Sequence, residues 1–208
     1  MDRVTVALAS ANVNKLHELR ALLPHWDLQL LDADEYPEEE GETFYENARA
    51  KAMFAREVAD PDLWVLGEDS GLEVEALSGG PGLHSARFAG PGATDEDNVA
   101  KLLDALRGLD DEGRRARYVS ELVLLSPELE EFRGTGILEG RISSERRGSE
   151  GFGYDPIFVP ERYDLIFIPE GQELTVAELG NEWKAENSHR AEAARALLAA
   201  VGEAAEAV

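Results

Sequence analysis

The chain has no cysteine, which excludes a disulfide framework, thiolate catalysis and cysteine-bound zinc together. Lysine is nearly as scarce, with four residues, Lys15, Lys51, Lys101 and Lys184, against sixteen arginines. Long apolar runs are also missing. The stretch Val4-Thr5-Val6-Ala7-Leu8-Ala9 behind Arg3 is far too short to span a bilayer and has no cleavable signal pattern around it, so a soluble cytoplasmic protein is expected. Positive charge is in deficit as well. With 43 acidic against 20 basic side chains the formal net charge is −23, a surface that repels the phosphate backbone of nucleic acid. That argues against binding a polymer but not against a small anion, which needs only a few cations and N–H groups to converge.

The chain's 208 residues suit one domain, or one domain with a lobe packed against it. Residues 4–9 read as a buried strand, Ser10 to Asn14 as a turn, and Leu16, Leu19, Leu22 and Leu23 as the apolar side of a helix. Leu28 to Leu31 suits a second strand. Thr43 and Glu46 form a Thr-x-x-Glu capping box that opens a helix running to about Ala59. Leu63 to Gly67 predicts a strand ending at Glu68-Asp69-Ser70-Gly71, and Leu72 to Leu77 alternates as a half-exposed strand would. Thr94 with Asp97 caps a further helix over Val99, Leu102, Leu103 and Leu106. Strands are expected over Tyr118–Leu125 and Glu131–Ile142, with the charged run Asp110 to Arg117 as a solvated connector. Gly148 to Pro156 reads as a glycine-rich loop, and Ser188 to Ala205 as a closing helix. The sheet is therefore mixed, in an α/β fold.

Four segments carry candidate chemistry. Ser10-Ala11-Asn12-Val13-Asn14-Lys15 lies where a strand feeds a helix, a place where a hydroxyl, an amide and an ammonium beside free N–H groups make a phosphate cradle. The alternative is a polar turn with a capping Ser or Asn. Glu38, Glu39 and Glu40, with Glu68-Asp69 about thirty residues on, offer the hard oxygen ligands that Mg²⁺ takes; Glu38 and Glu40 also suit a solvated face. Gly151-Phe152-Gly153-Tyr154-Asp155-Pro156 sets two aromatics between glycines, either as a stacking surface for a purine or as a tight turn with one buried ring. Lys184 with Ser188-His189-Arg190 places cations in the first turn of a helix. They suit that position only if they face an anion or a polar ligand, the alternative being a surface pair.

In order along the chain, Ser10-x-Asn12-x-x-Lys15, Glu39-x-Gly41-x-Thr43-Phe44-x-Glu46-Asn47-Ala48 with Lys51, Glu68-Asp69-Ser70-Gly71-Leu72, Gly80-Pro81-Gly82 with Ser85-Ala86-Arg87, Gly151 to Pro156, and Lys184 with Ser188-His189-Arg190 resemble the inosine triphosphate pyrophosphatase family, the Ham1-like dITP/XTP pyrophosphatases. The likeness covers nearly the whole chain. It implies a single domain over residues 1–208, with a long mixed central sheet flanked by helices, two lobes and a nucleotide cleft between them, usually as a homodimer. By that likeness Ser10, Asn12, Lys15 and Lys51 contact the triphosphate, and Ser70 stands with the substrate-binding residues. Glu39 and Glu68 help hold Mg²⁺, with Mn²⁺ as a substitute, and Asp69 is general base or metal ligand. Phe152, Gly153, Tyr154, Asp155, Lys184, His189 and Arg190 correspond to the nucleotide and base pocket.

Three features depart from the family pattern. Ser10-Ala11-Asn12 stands where Thr-Gly-Asn is common, and Glu68-Asp69 where Asp-Asp is common; both keep the functional groups. The stretch Arg162 to Gly171 is more apolar than the family region it corresponds to. The implied reaction is attack of water on the α-phosphorus of ITP, dITP or XTP, with pyrophosphate leaving. Arg190 or His189 is expected to donate to a 6-oxo oxygen and so discriminate against ATP. Competing readings are a related pyrophosphatase for modified pyrimidine or methylated nucleotides, and a non-catalytic nucleotide sensor that keeps the cleft.

Overall fold

The computed structural model describes residues 4–33, 35–161 and 173–206. The apolar stretch noted above, Arg162 to Gly171, falls outside them. Among the described residues six strands form one sheet: β1 (Val4–Ala9), β2 (Trp26–Leu30), β3 (Trp64–Val74), β4 (Arg115–Leu125), β5 (Glu131–Ile142) and β6 (Phe158–Pro160), in the order β2-β1-β3-β4-β5-β6. β1 pairs in parallel with both β2 and β3, while β5 and β6 run antiparallel, so the sheet is mixed and the fold α/β, as expected. The α-helices of the described residues are α1 (Val13–Leu22), α2 (Phe44–Val58), α3 (Asp95–Ala105), α4 (Val176–Asn187) and α5 (His189–Glu206).

The chain divides into two compact units, Met1–Ser70, Val119–Ile137 and Ser188–Val208 forming the first, Gly71–Tyr118 and Leu138–Asn187 the second. Within the first, strand alternation sorts the core into two layers. Val6, Leu8, Leu66, Leu122 and Leu124 pack with Leu16 and Leu19 of α1 and Ala193, Ala194 and Leu197 of α5. Ala7, Ala9, Val65, Val123 and Leu125 pack with Ala48, Ala52 and Ala55 of α2. The second unit buries Leu72, Val74, Val99, Leu102, Tyr118, Phe158 and Trp183.

The predicted capping box at Thr43 forms, and the predicted cap at Thr94 is a capping box as well. Thr43 Oγ1 accepts from Glu46 N and the Glu46 carboxylate from Thr43 N, and Thr94 and Asp97 repeat the exchange at α3. Close approach of helix to sheet depends on missing Cβ atoms. A methyl at Gly67 would lie 2.0 Å from Ala48 O and 2.7 Å from Ala52 N, so α2 rests its backbone on β3 at that glycine. At Gly134 it would meet Ala193 O at 2.2 Å, and at Gly136 His189 O at 2.0 Å, which seats α5 on β5 in the same way. Gly67→Ala is therefore expected to destabilise the protein by about 3 kcal/mol, the upper end of what overpacking costs. A chemical-denaturation midpoint equal to wild type would show instead that α2 moves off β3 freely.

Three expectations change. β3 does not end at Gly67 but runs on through Glu68, Asp69 and Ser70 to Val74, and Glu75–Leu77 is a 3₁₀ turn, not the end of a strand. Gly67, within the strand, leaves room for the backbone of α2. Arg114 is no part of a solvated connector: it is buried, with its guanidinium donating to the carbonyls of Leu106, Leu109 and Ser143. α4 has no counterpart in the sequence reading, because Gly180 interrupts it with φ 88° and breaks the helical period.

Candidate active site

In the first unit, β1 connects through α1 to β2 on one side, and β3 lies on the other, so the end of β1 is a topological switch point, where open α/β sheets bind ligands. The loop after β1 is Ser10 to Asn12. Ser10 Oγ accepts from Asn12 N at 3.0 Å, and Asn12 caps α1, its Oδ1 accepting from Asn14 N and Lys15 N. Asn12 is thus a helix cap, and the same cap positions the cradle: it orders the first turn that carries Lys15. The β1–β3 register pairs Ala9 with Gly67, which leaves Glu68, Asp69 and Ser70 just past the end of β1.

Successive residues of a strand point to opposite faces. Asp69 shares its face with α2, where Asn47 Nδ2 donates to its Oδ2 at 3.2 Å and Lys51 Nζ lies 2.8 Å from its Oδ1. The same ammonium meets Glu39 Oε1 at 2.6 Å and the Glu68 carbonyl at 3.2 Å. Asn47 and Lys51 are one turn apart on α2 and so reach the strand side by side. Gly41 N donates to Asn47 Oδ1 at 2.8 Å, which ties the Glu39 loop to the helix, while Glu38 and Glu40 are exposed. Glu39 is therefore the carboxylate of that run that turns inward.

Glu68 faces the other way. Its carboxylate, fully buried, receives Lys15 Nζ at 2.5 Å on Oε2 and Arg190 Nη2 at 2.9 Å and Nε at 3.2 Å on Oε1. Arg190 is 2% exposed and also donates to Ser70 Oγ at 2.9 Å and to the carboxylate of Glu18. Ser188 Oγ accepts from Ala191 N and so caps α5, and His189, the first helical residue, is buried.

Burial alone would raise the Glu68 carboxyl, but the charges of Lys15 and Arg190 outweigh it and hold that group far below the usual carboxylate range. At Asp69 burial prevails, and its carboxyl is pushed up despite Lys51 and Lys15. For Lys51 burial acts to lower the ammonium, but Asp69 and Glu39 carry it above its ordinary value, so it stays charged. Two adjacent carboxylates thus take opposite characters, one a locked counter-ion and one a stronger base.

In the second unit the Gly151–Pro156 loop is built around Asp155, which is 1% exposed. Its Oδ2 accepts from Lys184 Nζ at 2.6 Å and Phe152 N at 2.9 Å. A Cβ at Gly151 would come 2.1 Å from that oxygen. Lys184 Nζ lies 4.3 Å from the centre of the half-buried Phe152 ring, and Gly153 N donates to Asp95 Oδ2 at 2.7 Å. Tyr154 is not a stacking surface: its ring is in the core and its hydroxyl donates to Ser85 O at 2.8 Å.

Among the sequence-selected residues, then, Glu39, Lys51 and Asp69 meet on one face, Lys15, Glu68, Ser70 and Arg190 on the other, and Phe152, Asp155 and Lys184 in the second unit. Glu68 does not join Glu39 and Asp69 in one ligand set, and among the described residues no three carboxylate or imidazole groups cluster closely enough to hold a metal. Two residues that sequence reasoning left without a role, Asn47 and Glu18, complete these contacts. Helical spacing from Lys51 and Lys15 is the signal that points to them.

The sequence profile of the Ham1 family matches residues 6–200 of this chain. The chain is 43% identical over 197 residues to the dITP/XTP pyrophosphatase of Bdellovibrio bacteriovorus, covering 92% of this chain and 94% of that protein. Its fold is similar to that of a HAM1 protein from Coxiella burnetii, with a TM-score of 0.78 at 36% identity over 96% of this chain and 99% of the other. The structure of the nucleoside-triphosphatase / dITP/XTP pyrophosphatase of Mycobacterium abscessus aligns with a TM-score of 0.69 at 39% identity, covering 94% and 97%.

Proposed function

Because the chain belongs to the Ham1 family, we propose that it is a pyrophosphatase that hydrolyses non-standard purine nucleoside triphosphates, ITP, dITP and XTP, to the monophosphate and pyrophosphate. The observation that carries this is the convergence of Glu39 and Asp69 on one ammonium, Lys51, just past the end of β1, the strand that feeds the capped helix α1. Two carboxylates already gathered around a positive charge suit Mg²⁺, which takes hard oxygen ligands and is bound through one or two carboxylates together with substrate phosphates. Glu39 and Asp69 would hold it; when bound, it supplies charge that offsets the phosphate oxygens.

The protein's own groups divide the remaining work. Ser10, Asn12 and the first turn of α1 receive the phosphates with Lys15, and Lys51 neutralises charge that moves onto the leaving pyrophosphate. Asp69, with its carboxyl raised by burial, takes the proton of the water that attacks the α-phosphorus. Reading of the base falls to Phe152, Gly153, Asp155, Lys184 and His189, of which the Phe152 ring offers a face for stacking. A homodimer and a cytoplasmic location belong to the same reading, supported by the family likeness; sedimentation of the purified protein checks the first.

The test is a panel of triphosphates with Mg²⁺ or Mn²⁺, scored for pyrophosphate against orthophosphate. Pyrophosphate from ITP, dITP and XTP, well ahead of ATP, is expected. Release of orthophosphate would place the cleaved bond elsewhere, preference for a modified pyrimidine would change the substrate class, and full turnover in excess EDTA would remove the cation from the scheme.

A further inference from the structure

The division of β3 between two faces has a consequence for Glu68. Its carboxylate lies on the α1 and α5 face, with Lys15, Arg190 and, through Arg190, Glu18, whereas Glu39 and the Asp69 carboxylate lie on the α2 face. The hydrogen bond that Lys51 makes to Glu68 goes to the main-chain carbonyl, not to the carboxylate. Glu18, Arg190, Glu68 and Lys15 form a row of alternating charge, buried at Arg190 and Glu68 and open to solvent at Lys15, whose side chain is 17% exposed.

We infer that Glu68 is a positioning residue for Lys15 within the phosphate cradle and not a ligand of the cation. A lysine head on a four-carbon stem loses rotamer freedom when it engages a phosphate, and that loss is subtracted from binding. Here Glu68 holds the ammonium at 2.5 Å before any ligand arrives, and Arg190, clasped by Glu18 and Ser70, keeps the Glu68 carboxylate itself from turning. The inference rests on the reading above that Lys15 receives phosphate. It adds that the two acids of the Glu68-Asp69 pair serve different ligands.

The experiment is calorimetric binding of the non-cleavable analogue α,β-methylene inosine triphosphate, in EDTA and in excess Mg²⁺, to wild type, Glu68→Gln, Lys15→Met, the double variant and Glu39→Gln. In EDTA, Glu68→Gln and Lys15→Met are each expected to weaken binding by about tenfold, in line with losing a charge-assisted contact. The double variant is expected to bind no more than about twofold more weakly than Lys15→Met alone, because both act through one ammonium. The gain in affinity on adding Mg²⁺ is expected to survive in Glu68→Gln and to vanish in Glu39→Gln. Loss of that gain in Glu68→Gln would make Glu68 a cation ligand, and fully additive losses in EDTA would uncouple it from Lys15; either overturns the inference. If Glu68→Gln gives no cooperative melt, Glu68→Asp takes its place: a positioning carboxylate shortened by one methylene weakens binding in EDTA and keeps the Mg²⁺ gain, a shortened ligand loses the gain. Failure of the wild-type protein to bind the analogue at all would instead remove the nucleotide reading on which the inference stands.

Discussion

Asp69→Asn is expected to lower turnover of inosine triphosphate by about a hundredfold or more, the range that a positioned general base contributes. The substitution keeps volume and shape and removes the charge that faces Lys51, the basic oxygen, and one of the two carboxylates assigned to the cation. Asp69 lies within β3, held by the sheet ladder on one side and by Asn47 on the other, so the amide occupies the same place and folding should be little altered. The measurement is initial rate at saturating substrate, with a thermal melt to confirm the fold. Near-normal turnover in a folded variant would move the base elsewhere, and a rise in KM at unchanged kcat would make Asp69 a binding group only.

Arg190→Ala is the second large effect. The sequence suggested that this guanidinium reads the 6-oxo group of a purine, but in the structure it is committed to Glu68, Ser70 and Glu18. Removing it leaves the buried Glu68 carboxylate with Lys15 alone, and loss of one partner of a buried ion pair costs about 3–5 kcal/mol. Stability should fall by that order, measured by denaturant unfolding. kcat/KM should fall in equal proportion for ITP and ATP, because the damage is to the cradle that both substrates share. A selective loss toward ITP, narrowing the ratio between the two, would return Arg190 to reading the base.

Much of this arrangement is legible in the chain itself. The loop from Ser10 to Lys15 follows a strand and starts a helix, and short polar side chains there can only cap or bind; Asn12 caps, and Lys15 extends from the turn it orders. Both Thr-led capping boxes are local, closing within four residues, and so could be read directly. What stayed hidden is set by distant packing. Gly67 looks like a strand terminator until the backbone of α2 is seen against it. With the strand wrongly ended, the parity of Glu68 and Asp69 is lost, and both appear to face one metal. Tyr154 looks like a stacking ring because its partner, the carbonyl of Ser85, is far off in sequence. Asn47 stands in a recognised motif, yet its double attachment, to Gly41 N and to Asp69, depends on where a loop and a strand arrive.

The placement of α5 bears on how the gene tolerates damage. A stop codon at position 188 would delete Ala193, Ala194 and Leu197 from the core shared by β1, β3 and α1, uncover the glycines of β5, and remove the only arginine that contacts Glu68 among the described residues. Such an allele would yield a collapsed product instead of a slightly shortened enzyme. Frameshifts upstream of codon 188 should therefore abolish the folded protein even though most of the sheet is still encoded.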